Sequence, residues 1–357
     1  MANDGYPNTR RRFLLTAGTA AVTGIAGCTG GNNGVGGDSS ETPTQMGTET
    51  SSQDGGQSTT IAFLAAGSLQ HALENGLKPA VDVPVQAEAH GSATVARMID
   101  EGQRDPDIVT VADVALFEEP LSPPWYSVFT SNSVVIAYNP DTDGGQRLAE
   151  AGEDGWYEPM ASGDVSIGRT DPDLDPLGYR TLFTLELASQ YYEDASDLQD
   201  RILRQEQIYP ETSLISQFET GSIDAAFAYR NMAVERDYEY INLPDQIDLS
   251  NPTYADDWYS TVSYTLPNGQ EIQGGLISYG STIRKMSDAA VTLFDVHTTG
   301  NYLDEFGFIL RDQFPMYEGD PPSQVTDATG QSNASQSMDS LSMQSLAGTV
   351  SDITLLI

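Results

Sequence analysis

The sequence predicts an α/β protein that is built from two lobes. Short apolar runs that are typical of buried strands alternate with helical patterns along most of the chain. This βαβα order favours sheets whose strands are joined by right-handed crossovers. The alternation occurs as two series, of which the second begins near Val165, and two series predict two lobes. Nothing in the sequence repeats at a fixed period, so a solenoid is not favoured.

The first series opens with an apolar run at residues 61–66, which has the composition of a buried parallel strand. The run is followed by apolar residues at helical spacing. The series contains predicted strands at 61–66, 83–87, 108–111 and 133–138, and helical patterns at 69–77 and 95–99.

The second series has the same alternation with longer helical stretches. Its most regular helix begins after Asp175-Pro176, because aspartate is a good N-cap and proline suits the first helical position. The predicted strands are 165–168, 225–229, 240–243 and 275–279, and the predicted helices are 176–192, 196–203, 213–219 and 289–297.

The charge of the chain limits the classes of partner. Among 357 residues, 52 are acidic and 16 are basic, which gives a formal net charge of −36, and only two residues are lysines (Lys78 and Lys285). Such a chain is repelled by phosphate backbones and by anionic membrane surfaces, so we expect no nucleic-acid partner. A carboxylate-rich, lysine-poor surface is of the haloarchaeal type, in which concentrated salt screens the repulsion.

The N-terminus resembles an export signal. Residues 9–14 (TRRRFL) resemble a twin-arginine motif, and an apolar stretch too short for a bilayer span follows at 13–26. The segment GIAGC at residues 24–28 resembles a lipobox, which predicts lipidation of Cys28, the only cysteine in the chain. The alternative is a chance cysteine after a generic signal peptide. A single cysteine also excludes an internal disulfide framework.

We therefore expect a signal at residues 1–28 and a flexible tether at 29–59, where the chain is rich in Gly, Ser, Thr and Asn. Residues 319–357 repeat Ser, Gln, Met and Thr without periodicity, so we expect a low-complexity tail there. The folded body is then about 60–318, and it contains no predicted transmembrane helix. The product would be exported and anchored to the extracellular face of the cell membrane.

Three predicted strand-to-helix turns carry a polar residue at the helix start. These turns are Gly67-Ser68, Gly91-Ser92 and Asp175-Pro176. In open α/β sheets, ligands bind beyond the carboxyl ends of the strands, and a helix start favours an anion through its unpaired N–H groups. Such a site needs no lysine or arginine. The alternative is that each polar residue only caps its own helix.

The same residues carry a resemblance to a known family. FLAAGSL at 63–69, GSATVARMI at 91–99 and DIVTVAD at 107–113 resemble the opening of the molybdate/tungstate-binding proteins of ABC importers. The most specific segment, GRTDPDLDPLGYRT at 168–181, is similar to the archaeal branch of that family. YEYINLP at 238–244 and LSN at 249–251 resemble later segments, so the likeness extends over most of 60–312.

The resemblance implies a two-lobed periplasmic-binding-protein-like fold of type II. Each lobe would be a mixed sheet flanked by helices, and the ligand would lie in the cleft between the lobes. Lobe 1 would comprise residues 60–138 plus 272–318, and lobe 2 residues 139–271. The family is not enzymatic and uses no cofactor. The expected partners are a small oxyanion and the permease of an importer, and the chain is expected to be a monomer.

The resemblance also assigns site residues. Ser68 and Ser92 would donate from lobe 1, and Asp175 would face the ligand from lobe 2. The archaeal branch has a glutamate that completes six-coordination of the metal centre, and here Ala228 occupies its position. The neighbouring Tyr229 matches a ligand-binding tyrosine of the bacterial branch. Both a tetrahedral and an octahedral site therefore remain open; Gly67, Gly91 and Arg169 are further expected cleft residues.

Other candidates are weaker. Asp171, Asp173 and Asp175 begin like a calcium loop, but the glycine and glutamate that an EF-hand requires are missing. Arg169, Arg180 and Arg230 could clamp an anion, although such arginines more often hold acidic loops together. His71 follows Ser68 by three residues, so a serine hydrolase is a distant alternative that lacks the nucleophile elbow. A binding protein for sulfate or phosphate is the nearer alternative, and His90, His297 and the pairs Trp125-Tyr126 and Tyr191-Tyr192 favour no function.

Overall fold

The computed structural model describes residues 60–330 of the chain. The predicted export signal, the tether and Cys28 lie outside the described residues, as does the end of the chain from residue 331. The described residues form a mixed α/β structure with two main sheets and a small hairpin. The predicted α/β class is confirmed.

The larger sheet has six strands in the order β12-β4-β11-β3-β1-β2. Strands β1, β2 and β3 are parallel, and β4, β11 and β12 are added antiparallel to their neighbours. The sheet is therefore mixed, as predicted. Its strands are β1 Ile61–Ala66, β2 Val85–His90, β3 Ile108–Val111, β4 Trp125–Ser131, β11 Ser278–Ile283 and β12 Met316–Gly319.

The second sheet has four strands in the order β6-β7-β5-β8, and it is also mixed because only β6 and β7 run parallel. A separate antiparallel hairpin is formed by β9 and β10. These strands are β5 Val134–Tyr138, β6 Ile167–Gly168, β7 Ala225–Tyr229, β8 Glu239–Asn242, β9 Ser263–Thr265 and β10 Glu271–Gln273.

Helices flank both sheets. The first helical stretch, Gly67 to Ala80, combines 3-10 turns at Gly67–Leu69, the short helices α1 Gln70–Ala72 and α2 Lys78–Ala80, and a π turn at Leu73–Leu77. The next helices along the chain are α3 Ser92–Asp100, α4 Ala115–Glu118, α5 Asp143–Gly155, α6 Tyr157–Ala161, α7 Pro176–Tyr191, α8 Leu198–Ile202 and α9 Glu211–Glu219.

The remaining helices are short, except for α11. They are α10 Arg230–Val234, α11 Asp288–Thr299, α12 Tyr302–Glu305 and α13 Ser323–Ala328, with 3-10 turns at Gln205–Gln207, Pro252–Tyr254 and Tyr259–Thr261. The predicted helix at 176–192 is confirmed almost residue for residue. Its first turn begins at Pro176, and the Asp175 side chain caps it.

Sheet membership changes where the chain crosses between the lobes. Strand β5 was expected in lobe 1, but it pairs with β7 and β8 of the second sheet. The chain therefore leaves the six-stranded sheet at residues 132 and 133, between β4 and β5. It returns between β10 and β11. As domain limits, the predicted 138/139 and 271/272 boundaries stay a prediction.

The folded structure continues beyond residue 319, where the low-complexity tail was predicted to begin. Strand β12 pairs with β4 up to Gly319, and α13 then packs beside α11 with Val325 and Thr326 buried. The sequence analysis did not predict that Val325 is buried, because the segment around it is rich in Ser, Gln and Thr. The expectation of unstructured chain is therefore wrong for residues 319–330.

Candidate functional site

One small cavity lies between the two lobes. Its volume is about 200 Å³ when the space open to solvent is included, and both sheets contribute to its wall. The residues that line it are Ala66, Gly67, Ser68, Ser92 and Ala112 from the six-stranded side, and Asp175, Leu177, Tyr229 and Met232 from the four-stranded side. The four principal residues of the sequence analysis therefore meet in one place, although their role toward a ligand stays a prediction.

A wider cleft of about 920 Å³ adjoins this cavity and shares Gly67 and Asp175 with it. Gly91 and His90 line the cleft on one side, and Asp171 lines it on the other. Gly67 and Gly91 thus lie where the sequence analysis expected them. The cavity is the inner end of an interlobe cleft.

Neither serine caps its own helix. Helix α3 begins at Ser92 itself, its N-cap is Gly91, and no side chain caps it. The 3-10 turn that contains Ser68 likewise has no side-chain cap. The capping alternative of the sequence analysis is therefore wrong for both serines, and their hydroxyls are available for other contacts.

The Ser92 hydroxyl is held by the next strand. Its Oγ accepts a hydrogen bond from the Ala112 N–H, which follows β3, at 2.9 Å. A serine hydroxyl can accept one bond and still donate its own proton. Because Ser92 is almost fully buried at the cavity wall, that proton is available to a ligand in the cavity.

The Ser68 hydroxyl is held by a polar chain that sequence reasoning did not find. Ser68 Oγ lies 2.8 Å from the Tyr279 hydroxyl, which accepts a bond from Asn132 Nδ2 at 3.2 Å. Asn132 Nδ2 also donates to Asn231 Oδ1, whose own amide donates to the Ser68 carbonyl at 2.7 Å. These side chains are buried where the chain crosses between the lobes.

Asp175 has two functions in the geometry. Its Oδ1 accepts from the Leu177 N–H at 2.9 Å and so caps α7, while the residue also lines the cavity. Burial raises the pKa of Asp175 to about 6, although the Leu177 N–H and the charge of Arg180 oppose the rise. A carboxyl group with this pKa carries a full charge only above neutral pH.

Tyr229 ends β7, and its hydroxyl is fixed by a buried arginine. Arg180 Nη1 donates to the Tyr229 hydroxyl at 2.7 Å. Burial holds the pKa of Tyr229 well above its ordinary value, so the phenol keeps its proton. An arginine has no acceptor, so the phenolic proton cannot point at Arg180.

Two expected cleft residues lie elsewhere. Ala228 lines a mainly apolar pocket of about 330 Å³ with residues of α9 and α10, which adjoins the cavity and shares Met232 with it. Arg169 is buried but lines neither the cavity nor the cleft, and its Nε and Nη1 have no hydrogen-bond partner within residues 60–330. Both expectations are corrected.

The other arginine and acidic candidates have structural contacts. Arg230 Nη1 donates to the Gly307 carbonyl at 2.7 Å. Of the calcium-loop residues, Asp173 accepts from the Tyr264 hydroxyl and Asp171 accepts from the Asp173 N–H. Within the described part of the chain, no group of three or more His, Cys, Asp or Glu side chains is placed to hold a metal ion.

The histidines do not form a catalytic pair with Ser68. His71 Nδ1 lies 3.7 Å from Glu235 Oε2, whereas the Ser68 hydroxyl pairs with Tyr279. His90 pairs with Glu88 at 2.8 Å on the protein surface. His297 is buried against Thr110, and burial lowers its pKa to about 3. The geometry gives the hydrolase alternative no support.

The lobes touch directly around the cavity. The Thr94 N–H donates to the Leu174 carbonyl at 3.3 Å, and the Tyr179 hydroxyl donates to Asp113 Oδ2 at 2.8 Å. Gly91 allows this approach, because a Cβ there would lie 2.4 Å from the Leu174 carbonyl oxygen. The structure therefore has the geometry of a closed cleft.

Comparison with known proteins identifies the family. The sequence model of the family of bacterial extracellular solute-binding proteins matches residues 60–269. The chain belongs to this family. It has the two-lobed α/β fold of type II that the sequence resemblance implied, and the predicted family is confirmed.

Two relatives of this solute-binding protein have names that specify a ligand. A protein of Haloferax volcanii, named as a candidate ABC transporter molybdenum-binding protein, is 47% identical over 320 residues, which are 88% of this chain and 96% of that protein. A molybdate/tungstate-binding protein of Thermococcus kodakarensis is 32% identical in an alignment 267 residues long, which covers 64% of this chain and 73% of that protein.

A solved structure, the periplasmic molybdate-binding protein of Azotobacter vinelandii, aligns with a TM-score of 0.46 at 14% identity, over 71% of this chain and 100% of that chain.

Among residues 60–330, none of the helices combines the length and the apolar character that a membrane span requires.

Proposed function

We propose that this solute-binding protein captures molybdate or tungstate outside the cell and delivers the anion to the permease of an ABC importer. The observation that carries the proposal is the shared cavity, which the hydroxyl-bearing residues Ser68, Ser92 and Tyr229 line from two lobes. The names of the Haloferax and Thermococcus relatives support the same ligand class.

The chemistry of the wall suits an oxyanion that accepts hydrogen bonds. Neutral donors replace the water around the anion, and a small cavity excludes competing water. Sulfate, which is smaller, would leave some of these buried donors unpaired at a cost of about 1–3 kcal/mol for each. We infer a tetrahedral anion, because Ala228 lies outside the cavity and supplies no carboxylate.

Calorimetric titration of the purified protein with molybdate, tungstate, sulfate and phosphate tests the proposal. We expect saturable binding of the two metal oxyanions and weaker binding of the others. Ser92→Ala should weaken binding, whereas Ser196→Ala, an exposed serine of lobe 2, should not. Equal affinity for sulfate or phosphate would favour the alternative anion, and no heat with either metal oxyanion would contradict the proposal.

We further propose that the chain leaves the cell through the twin-arginine route and is held at the membrane by a lipid on Cys28 as a monomer. The support is the sequence of residues 9–28 and the extracellular family to which the chain belongs. Expression of Cys28→Ser in a halophilic archaeon should release the protein into the medium. Retention of this variant in the membrane fraction would contradict the lipid anchor.

A further inference from the structure

The buried side chain of Arg180 joins the two lobes behind the cavity. Its Nη1 donates to the Ala112 carbonyl at 2.8 Å and to the Tyr229 hydroxyl at 2.7 Å, and its Nη2 donates to Asp113 Oδ2 at 2.8 Å. Arg180 belongs to α7, on the side of the four-stranded sheet, whereas Ala112 and Asp113 follow β3 of the six-stranded sheet. The Arg180 side chain is 3% exposed.

Arg180 does not line the cavity, but two of its three partners do. Ala112 and Tyr229 both belong to the cavity wall. The N–H of Ala112 is bound by Ser92, and its carbonyl is bound by Arg180, so the residue is fixed from both sides. Arg180 is therefore one hydrogen bond away from groups on both walls of the site.

The donor character of Arg180 sets the direction of the Tyr229 proton. A guanidinium has five N–H donors and no acceptor, so the Tyr229 oxygen must accept from it. The phenolic proton then points away from Arg180 and can be donated to an anion in the cavity that Tyr229 lines. Without Arg180, the Tyr229 hydroxyl could rotate and present its oxygen lone pair to an anion, which would repel it.

The contacts of Arg180 with Asp113 and Ala112 depend on closure of the cleft. They join side chains of different lobes, so separation of the lobes would break the buried ion pair and the carbonyl bond together. Breaking a buried pair leaves an uncompensated charge, which is costly. The closed state is therefore the state in which Arg180 is fully paired.

We propose that Arg180 is a positioning residue that couples closure of the lobes to orientation of the Tyr229 hydroxyl toward the bound oxyanion. The inference rests on the proposed function, since it concerns the same site. It assigns to Arg180 neither a ligand contact nor a role in attracting the anion. Its consequence is that the guanidinium that orients the Tyr229 hydroxyl is held from both lobes only when the lobes have closed.

A double-mutant cycle with Arg180→Gln and Tyr229→Phe, titrated with molybdate and tungstate, tests the coupling. In the wild-type background we expect Tyr229→Phe to weaken binding about tenfold or more, as for a hydrogen bond to a charged group. In the Arg180→Gln background the same change should cost less than about threefold. Arg201→Gln, an exposed arginine of the same lobe, is the matched control and should leave the affinity unchanged.

Small-angle X-ray scattering adds a readout of closure. Molybdate should reduce the radius of gyration of the wild-type protein, and the reduction should be smaller in Arg180→Gln. If Arg180→Gln does not fold, Arg180→Lys provides the same comparison, because one ammonium group cannot reproduce the planar fork of donors.

The outcomes separate the two proposals. Losses that multiply across the cycle, or an Arg180→Gln variant that binds and closes like the wild type, would overturn the role of Arg180 alone. A wild-type protein that binds neither metal oxyanion would overturn the proposed function and, with it, this inference.

Discussion

The two walls of the cavity are built by different means. On the side of the six-stranded sheet, Ser68 and Ser92 each follow a glycine in the turn after a parallel strand, and partners from their own sheet or the lobe crossing hold their hydroxyls. On the opposite side, Asp175 is a helix cap and Tyr229 ends a strand. The Tyr229 hydroxyl depends on Arg180, which reaches across the cleft.

This difference shows which parts of the site exist before closure. The direct partners of the two serine hydroxyls, Tyr279 and Ala112, belong to the side of the six-stranded sheet, so we expect these hydroxyls to be held in an open cleft. The second wall acquires its full set of contacts only when the lobes meet. We therefore expect an anion to be captured on the serine wall and secured by the tyrosine wall, in the manner of a hinged binding protein.

The largest effect is expected where the two walls approach each other. In Gly91→Ala the new Cβ would lie 2.4 Å from the Leu174 carbonyl oxygen, which is backbone and cannot rotate away. The lobes should stop short of closure, and affinity for molybdate should fall about a hundredfold or more, because several hydrogen bonds are lost together. Calorimetry measures the loss.

The matched control is Gly275→Ala, because a Cβ at Gly275 meets nothing within 4 Å. This variant should bind like the wild type. If Gly91→Ala also keeps wild-type affinity and still compacts on ligand addition in scattering experiments, the walls do not need to meet as closely as the structure has them.

The next effect concerns the serine wall alone. Ser92→Ala should weaken anion binding by about 1.5–3 kcal/mol, since a hydrogen bond to a charged group is lost. Ser68→Ala should cost a comparable amount, because each hydroxyl also has a buried protein partner, the Tyr279 hydroxyl for Ser68 and the Ala112 N–H for Ser92. Calorimetric titration of both variants measures the losses, and wild-type affinity in either variant would remove that serine from the ligand contacts.

A smaller effect is expected from pH on the opposite wall. Because the pKa of Asp175 is raised to about 6, the group is protonated below that value and ionised above it. The ionised form of Asp175 repels a tetrahedral dianion, so the affinity for molybdate should increase several-fold as the pH falls from 7.5 to 5. Titrations over this range measure the change.

Asp175→Asn keeps an oxygen that can cap α7 and removes the titration, so its affinity should be independent of pH in this window. The sign of the wild-type effect also distinguishes the two coordination geometries. If the carboxylate coordinates the metal, as the archaeal resemblance implies, acidification should instead weaken binding.

The smallest effect on affinity is expected from Ala228→Glu. Ala228 lines the apolar pocket beside α9 and α10 and not the cavity, so we expect a glutamate there to make no contact with the anion. The free energy of unfolding should fall, because a charge is buried. Thermal unfolding and molybdate titration measure the two quantities, and a large change in affinity would place this side chain at the cavity after all.

The local parts of this site were predictable from the sequence. The Gly-Ser turns and the Asp175-Pro176 helix start depend on residues that are neighbours along the chain, and all three turns contribute to the cavity. Helix α7 was predicted because proline and an N-cap aspartate mark its start. The family resemblance added Tyr229, which no local pattern distinguishes from other strand residues.

The relays behind the site were not predictable, because they join residues far apart in sequence. Ser68 and Tyr279 are 211 residues apart, and Arg180 and Asp113 are 67 apart. Strand β4 was also missed, since its alternation is interrupted by polar residues that are buried in the sheet. Ala228 lies on a strand that contributes to the site, but it lines the apolar pocket and not the cavity.

The most direct test of a shared two-lobed site is a crystal structure with tungstate, in which anomalous scattering locates the metal. We predict one peak in the small cavity. The tungstate oxygens around it should accept hydrogen bonds from Ser68 Oγ, Ser92 Oγ and the Tyr229 hydroxyl. A tungsten atom bound outside this cavity would contradict the account. So would a tungsten atom that, at saturating tungstate, contacts one wall of the cavity while the other wall faces solvent.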